Sequence, residues 1–205
     1  MSKSSSSSVS QSTRRIRQIA LSALLIASQV VLARFLAVQT PILTVSFSFL
    51  PIFLAGMVLG WRHATIIAAI SDLIGALLFP VGNFFPGYTL TTALTGLIAG
   101  LTLYRPSGIK VDRRFCLRLL LCAVLVSGAL NGGLNTLWII ITTGGASNII
   151  VPIRIAKQLI MIPIQFLTVW AIAKTFAARI NQIFFPQARS ARPAPSPTEA
   201  TESVA

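Results

Sequence analysis

A chain of 205 residues, 54% hydrophobic and only 10% charged, with a mean hydropathy of +0.80, lacks the polar side chains to face water on every side. Composition therefore excludes an ordinary water-soluble domain and points to an integral membrane protein. The formal net charge of +13, which in a soluble protein would suggest nucleic acid, is read here by its position along the chain.

Residues 1–13, MSKSSSSSVSQST, are too polar to bury a core and read as a disordered serine-rich tail. Six apolar segments follow within residues 14–180, near 16–36, 45–61, 63–80, 87–104, 115–142 and 152–178. A membrane span needs about 20 apolar residues. Lipid offers backbone groups no partners, so each segment is expected to be helical. Residues 181–205, rich in Pro, Ala and Ser, read as a second disordered tail. The expected architecture is an all-α integral membrane protein of six transmembrane helices.

The first segment contains Ala20, Ala23 and Ala27, where A-L-L-I-A makes a small-xxx-small strip that lets another helix approach closely. It ends near Arg34. The second opens with Phe47, Phe49 and Pro51, and the third has Asp72 midway along it. Pro80, Gly82, Asn83, Pro86 and Gly87 then break the chain among Phe84, Phe85 and Tyr88, rings suited to stacking on a flat heteroaromatic ligand or to an interfacial belt. In the fifth, Gly128, Asn131, Asn135 and Trp138 follow i, i+3, i+7, i+10 spacing, which places two amides and an indole on one face. In the sixth, Arg154, Lys157, Gln158, Met161 and Gln165 form a similar stripe.

With both termini cytoplasmic, the inner loops and tails hold 14 of the 17 Lys and Arg residues, so most of the charge is a topology signal. Arg34, Arg154 and Lys157 do not fit that pattern. Intramembrane cations are costly and usually face a partner or a cavity. With Asp72 they sum to +3 − 1 = +2, which suits a dianion. The competing reading is that the arginines reach lipid phosphates and Asp72 pairs with Lys157 to hold helices together.

The chain contains no G-x-x-x-x-G-K-[ST], H-E-x-x-H or G-x-S-x-G, and its one histidine, His63, adjoins Arg62 at the cytoplasmic end of its span, away from Asp72 midway along it. Cys116 and Cys122 have no metal-ligand neighbours in the sequence. Neither an enzyme, a metal site nor a cofactor is expected.

The stretches FSFLPIFLAGMVLG at 47–60, SDLIGALLFPVGNFFPGYTLTTALTGLIAG at 71–100, LNTLW at 134–138 and RIAKQLIMIPIQ at 154–165 resemble the substrate-binding S components of energy-coupling factor (ECF) transporters, of the folate type. The likeness covers about residues 19–178. It implies a prokaryotic plasma-membrane protein that binds one vitamin and works with an integral-membrane coupling subunit and two cytosolic ATPases, toppling in the membrane to deliver its cargo. It also implies that Ala23 and Ala27 touch the coupling subunit. Folate fits the residues: its glutamate tail is a dianion for Arg34, Arg154 and Lys157, its rings suit Phe47, Phe84, Phe85, Tyr88 and Trp138, and Asp72, Asn131, Asn135 and Gln158 offer polar partners. Two alternatives remain open: an S component for another vitamin or precursor, and a non-transport assembly protein that binds anionic lipid.

Overall fold

The computed structural model describes residues 3–39, 44–80, 85–143 and 147–184. Each apolar segment is helical. These are α1 (Lys3–Arg34), α2 (Phe49–Leu59), α3 (Trp61–Leu78) and α4 (Pro86–Leu103), then a fifth rod and α7 (Ser147–Phe184). The fifth rod has three parts: α5 (Arg113–Val124), a π-helical stretch Leu125–Leu134, and α6 (Asn135–Thr143). Between α1 and α2 a two-residue antiparallel ladder, β1 (Val38–Gln39) on β2 (Thr44–Val45), pairs Val38 with Val45 and Gln39 with Thr44. It is a small addition to the expected all-helical chain.

Arg15–Arg34, Trp61–Leu78, Arg113–Thr142 and Val151–Phe184 are long and apolar enough to cross a membrane. At 11 residues, α2 is about 16 Å long, too short to span alone. Its apolar character on every side suits a central position. It is buried almost throughout and packs against α1, α3, α4 and α7. A sharp turn at Gly60, with φ of +82°, joins it to α3. The α3 and α4 backbones then come close together: a methyl group on Gly100 would collide with the Trp61 backbone, and one on Gly96 with the Ala64 carbonyl.

The helices finish at two ends of the bundle. At one, here the Trp61 end, α3 starts and α4 stops. The backbone N–H of Ile109 donates to Asn181 Oδ1 at 2.7 Å, and Asn181 Nδ2 donates to the Ile109 carbonyl at 2.8 Å. This amide pair ties α7 to the connection between α4 and α5. Arg17 Nη1 also donates to the Ile183 carbonyl, at 3.5 Å. The tail expected from residue 181 thus begins as helix as far as Phe184, two residues before Pro186, whose ring disfavours helix at the position preceding it. At the other terminus α1 begins at Lys3, inside the expected serine-rich tail. No Gly or Pro stands between Lys3 and the apolar segment to stop the helix extending backwards.

Phe53, Met57, Ile67, Leu103, Phe115 and Leu119 fill the interior toward the Trp61 end. Large apolar side chains such as Leu24, Ile66, Leu101, Leu117 and Leu167 are exposed around the outside. A surface of that kind suits hydrocarbon.

Candidate binding chamber

Toward the opposite end, marked by Arg34, the buried residues become polar. On α1 the packed apolar cluster reaches Leu25, and one turn later on the same stripe Gln29, 3% exposed, is buried next to Val30. On α3, Ala64 and Ile67 give way to buried Ser71 and half-buried Asp72. On α4, which runs the other way, Thr91 and Thr95 precede Ala99 and Leu103. Ser127 follows Val126 in the π-helical stretch, and Arg154 and Gln158 precede Met161 and Val169 on α7. Buried polar groups are costly unless they find partners. Their concentration toward one end makes it the candidate site.

Arg34, in the last turn of α1, turns inward over α3. A methyl group on Gly75 would lie 2.9 Å from Arg34 Nε and 3.4 Å from its Nη2, so the missing side chain makes the space for the guanidinium. Three residues earlier on α3, Asp72 Oδ2 accepts a hydrogen bond of 2.8 Å from Thr89 Oγ1 of α4. A pairing of Asp72 with Lys157 was one reading of the sequence. Asp72 is held by this hydroxyl, and near the Trp61 end Arg105 pairs with Asp112 at 3.6 Å.

The π-helical stretch divides the stripe expected on the fifth span. Wider turns bring residue i+5 over residue i, and Asn131 Nδ2 accordingly donates to the Val126 carbonyl at 3.0 Å. Gly128 is exposed with open space beside it. Asn135 keeps its place in the interior, with Oδ1 buried and unpartnered. Ser127 Oγ donates to Gln165 Oε1 at 3.0 Å, fastening this stretch to α7. Arg154, Gln158, Met161 and Gln165 on α7 are all buried, and Gln158 packs beside Gly132. Arg154 is 8% exposed and its Nε has no partner; Lys157, one turn along, is half-buried.

Trp138 Nε1 donates to Thr91 Oγ1 at 3.1 Å, and Thr91 Oγ1 donates in turn to the Gly87 carbonyl at 3.0 Å. The Phe85 ring lies 5.4 Å from that of Trp138 and edge-on to Tyr88 at 6.0 Å. Any side chain on Gly87 would strike both Phe85 and Trp138. Phe47 is exposed, and its ring lies 6.0 Å from that of Phe49, tilted by 45°. Phe84 lies outside the described residues. Sequence reasoning passed over Gln29 and Thr91, uncharged residues in apolar runs whose one signal is their burial.

Ala20, Ala23 and Ala27 are exposed along α1, beside exposed Leu24. Their small faces do not serve packing within this chain. Among the described residues no three of His, Cys, Asp and Glu come together.

Six apolar helical segments, four of them long enough to cross a membrane, define an integral membrane protein with buried, unpaired polar atoms on Gln29, Arg34, Asn135 and Arg154. The chain belongs to the family described as ECF transporter, substrate-specific component, which it matches over residues 17–173. It is 33% identical over 157 residues to the folate transporter FolT of Clostridium novyi, covering 77% of this chain and 88% of that one. To the folate transporter FolT of Leuconostoc mesenteroides it is 37% identical over 155 residues, 73% and 80% of the two chains. A solved structure of FolT bound with folic acid superposes with a TM-score of 0.70 at 36% identity, covering 77% of this chain and 93% of that one. The family is a transporter component, not a class of enzyme.

Proposed function

We propose that this protein binds folate in the chamber at the Arg34 end and hands it inward as the substrate-specific component of an ATP-driven vitamin uptake system. The observation that carries the reading is a pair of buried donors: Arg34 Nε and Arg154 Nε, both without a partner. Arginine offers planar, bidentate geometry to carboxylates, and the glutamate tail of folate has two. Half-buried Lys157 adds a third cation to that subsite. The aromatic group of Phe85, Tyr88 and Trp138 is a surface for the rings, and Asp72, Asn135 and Gln158 are polar partners for the remaining edges. The folate-named relatives and the folic-acid-bound likeness support the same ligand.

In this reading the chamber opens to the outside of a prokaryotic plasma membrane and both termini are cytoplasmic, because that orientation puts the basic residues between α4 and α5 on the inner side. The exposed alanine strip of α1 is the contact for an integral-membrane coupling subunit, which in turn carries two cytosolic ATPases. No nucleotide-binding loop is needed in this chain. The test is calorimetric titration of the detergent-purified protein with folic acid, followed by uptake in cells supplying a coupling module. One folate per chain is the expected result. A purified protein that binds no folate, and releases a different vitamin on denaturation, overturns the assignment.

A further inference from the structure

Gln29 has no role so far. Its side chain is 3% exposed, and its Oε1 is buried without a hydrogen-bond partner. A buried amide acceptor left unpaired is costly, so natural interiors keep few of them. Its place on α1 is informative. One turn toward the Trp61 end, on the same stripe, Leu25 belongs to the apolar core. Five residues toward the other end, about 7.5 Å along the axis, Arg34 reaches across Gly75. On neighbouring α3, Asp72 lies three residues, about 4.5 Å, below Gly75. Gln29 and Asp72 therefore occupy nearly the same depth, below Arg34, on two helices that pack together.

The second unpaired buried amide oxygen is Asn135 Oδ1, on the fifth span. Among the described residues the buried side-chain atoms left unsatisfied are thus two acceptors and two arginine Nε donors. A dianion relieves only the arginines. The acceptors call for N–H donors, and a 2-amino-4-oxo-pyrimidine edge, such as the heterocycle of folate carries, provides them.

We infer that Gln29 reads the ligand's heterocycle, its side-chain carbonyl accepting an N–H from that edge while the carboxylates are held nearer the Arg34 guanidinium. This rests on the folate reading and adds to it a residue on α1 and a direction for the ligand: ring system at the depth of Gln29 and Asp72, carboxylates above. Oε1 is the recognising atom, so the group lost in Gln29→Leu is the acceptor, with volume nearly kept.

The test compares parent and Gln29→Leu by thermal unfolding without ligand, and by binding of folic acid and of p-aminobenzoyl-glutamate, which keeps the tail and lacks the heterocycle. The expected result is an unfolding temperature equal to or above the parent's, an affinity for folic acid at least 10-fold weaker, and an affinity for p-aminobenzoyl-glutamate within 2-fold of the parent's. Gln29→Asn, whose carbonyl is one methylene short, is expected to bind folic acid with intermediate affinity. Equal loss for both ligands, or a lowered unfolding temperature with unchanged folic acid binding, overturns the inference; the latter assigns Gln29 to structure, through an internal water. A parent protein that binds no folic acid fails the underlying assignment instead, and is recognised before any variant is made.

Discussion

The guanidinium of Arg34 lies against the bare Cα of Gly75, so that a single added methyl group would come within 2.9 Å of its Nε. The long side chain of α1 is steered by what is missing on α3. Because the obstructed group is the flexible far end of an arginine, Gly75→Ala is expected to leave the fold intact and to push the guanidinium aside. Affinity for folic acid should fall about 5- to 20-fold, corresponding to about 1–2 kcal/mol, while the unfolding temperature changes by a few degrees at most. Unchanged affinity would show that Arg34 contributes nothing from this position.

Arg154→Ala and Lys157→Ala should weaken folic acid far more than a tail-less pterin. Hydrogen bonds to charged groups are worth about 1.5–3 kcal/mol, or about 10- to 100-fold in affinity. Competition binding with both ligands on each variant measures the split. Equal losses for the two ligands would take both cations out of the carboxylate subsite. Arg154→Lys, which keeps the charge and loses the fork, is expected to recover only part of the affinity.

Asp72 shares its Oδ2 with Thr89, and an asparagine there can still accept that hydrogen bond through its own oxygen. Asp72→Asn is therefore expected to unfold close to the parent temperature and to bind folic acid about 10-fold or more weakly. Thr89→Val should do the reverse, lowering stability by about 1 kcal/mol through loss of the α3–α4 bond, with the smaller effect on affinity. A variant pair with these effects exchanged would make Asp72 a structural residue.

Replacing Ala23 and Ala27 together by Trp enlarges a face that is exposed in this chain and far from the chamber: 11 residues separate Ala23 from Arg34, about 16 Å along the helix. The double variant should bind folic acid as the parent does, yet fail to co-purify with a coupling subunit or to support uptake. Co-purification and uptake at parent levels would move the docking face elsewhere.

The six helical segments were legible because each depends on a local property, an apolar run bounded by Gly, Pro or charge, whereas four of them have the length and apolarity to cross a membrane. The cations at positions 34, 154 and 157 stood out for the same reason, since a charge in an apolar run needs explaining wherever it falls. What the sequence did not disclose depends on pairs distant along the chain. For Asp72 the sequence offered a cation or a ligand edge as partner, and it did not single out Thr89, 17 residues away, which looks like any other hydroxyl in a membrane helix. Gln29 was passed over because an uncharged amide in an apolar run raises no electrostatic question until its burial is known. The stripe on the fifth span assumed 3.6 residues per turn, and neither Gly132–Gly133 nor Asn131 announces a wider winding.

That winding bears on how such chains are compared. Ten residues of π-helix, at about 4.4 per turn, make about 2.3 turns, and eight residues of ordinary α-helix make about 2.2. A homologue two residues shorter between 125 and 134 would thus present Asn135 and Trp138 in nearly the same direction, without any π geometry. One of equal length wound as α-helix throughout would turn them roughly half a revolution further. In this stretch a gap in an alignment preserves the direction of Asn135 and Trp138, and an ungapped match with regular helix turns them away.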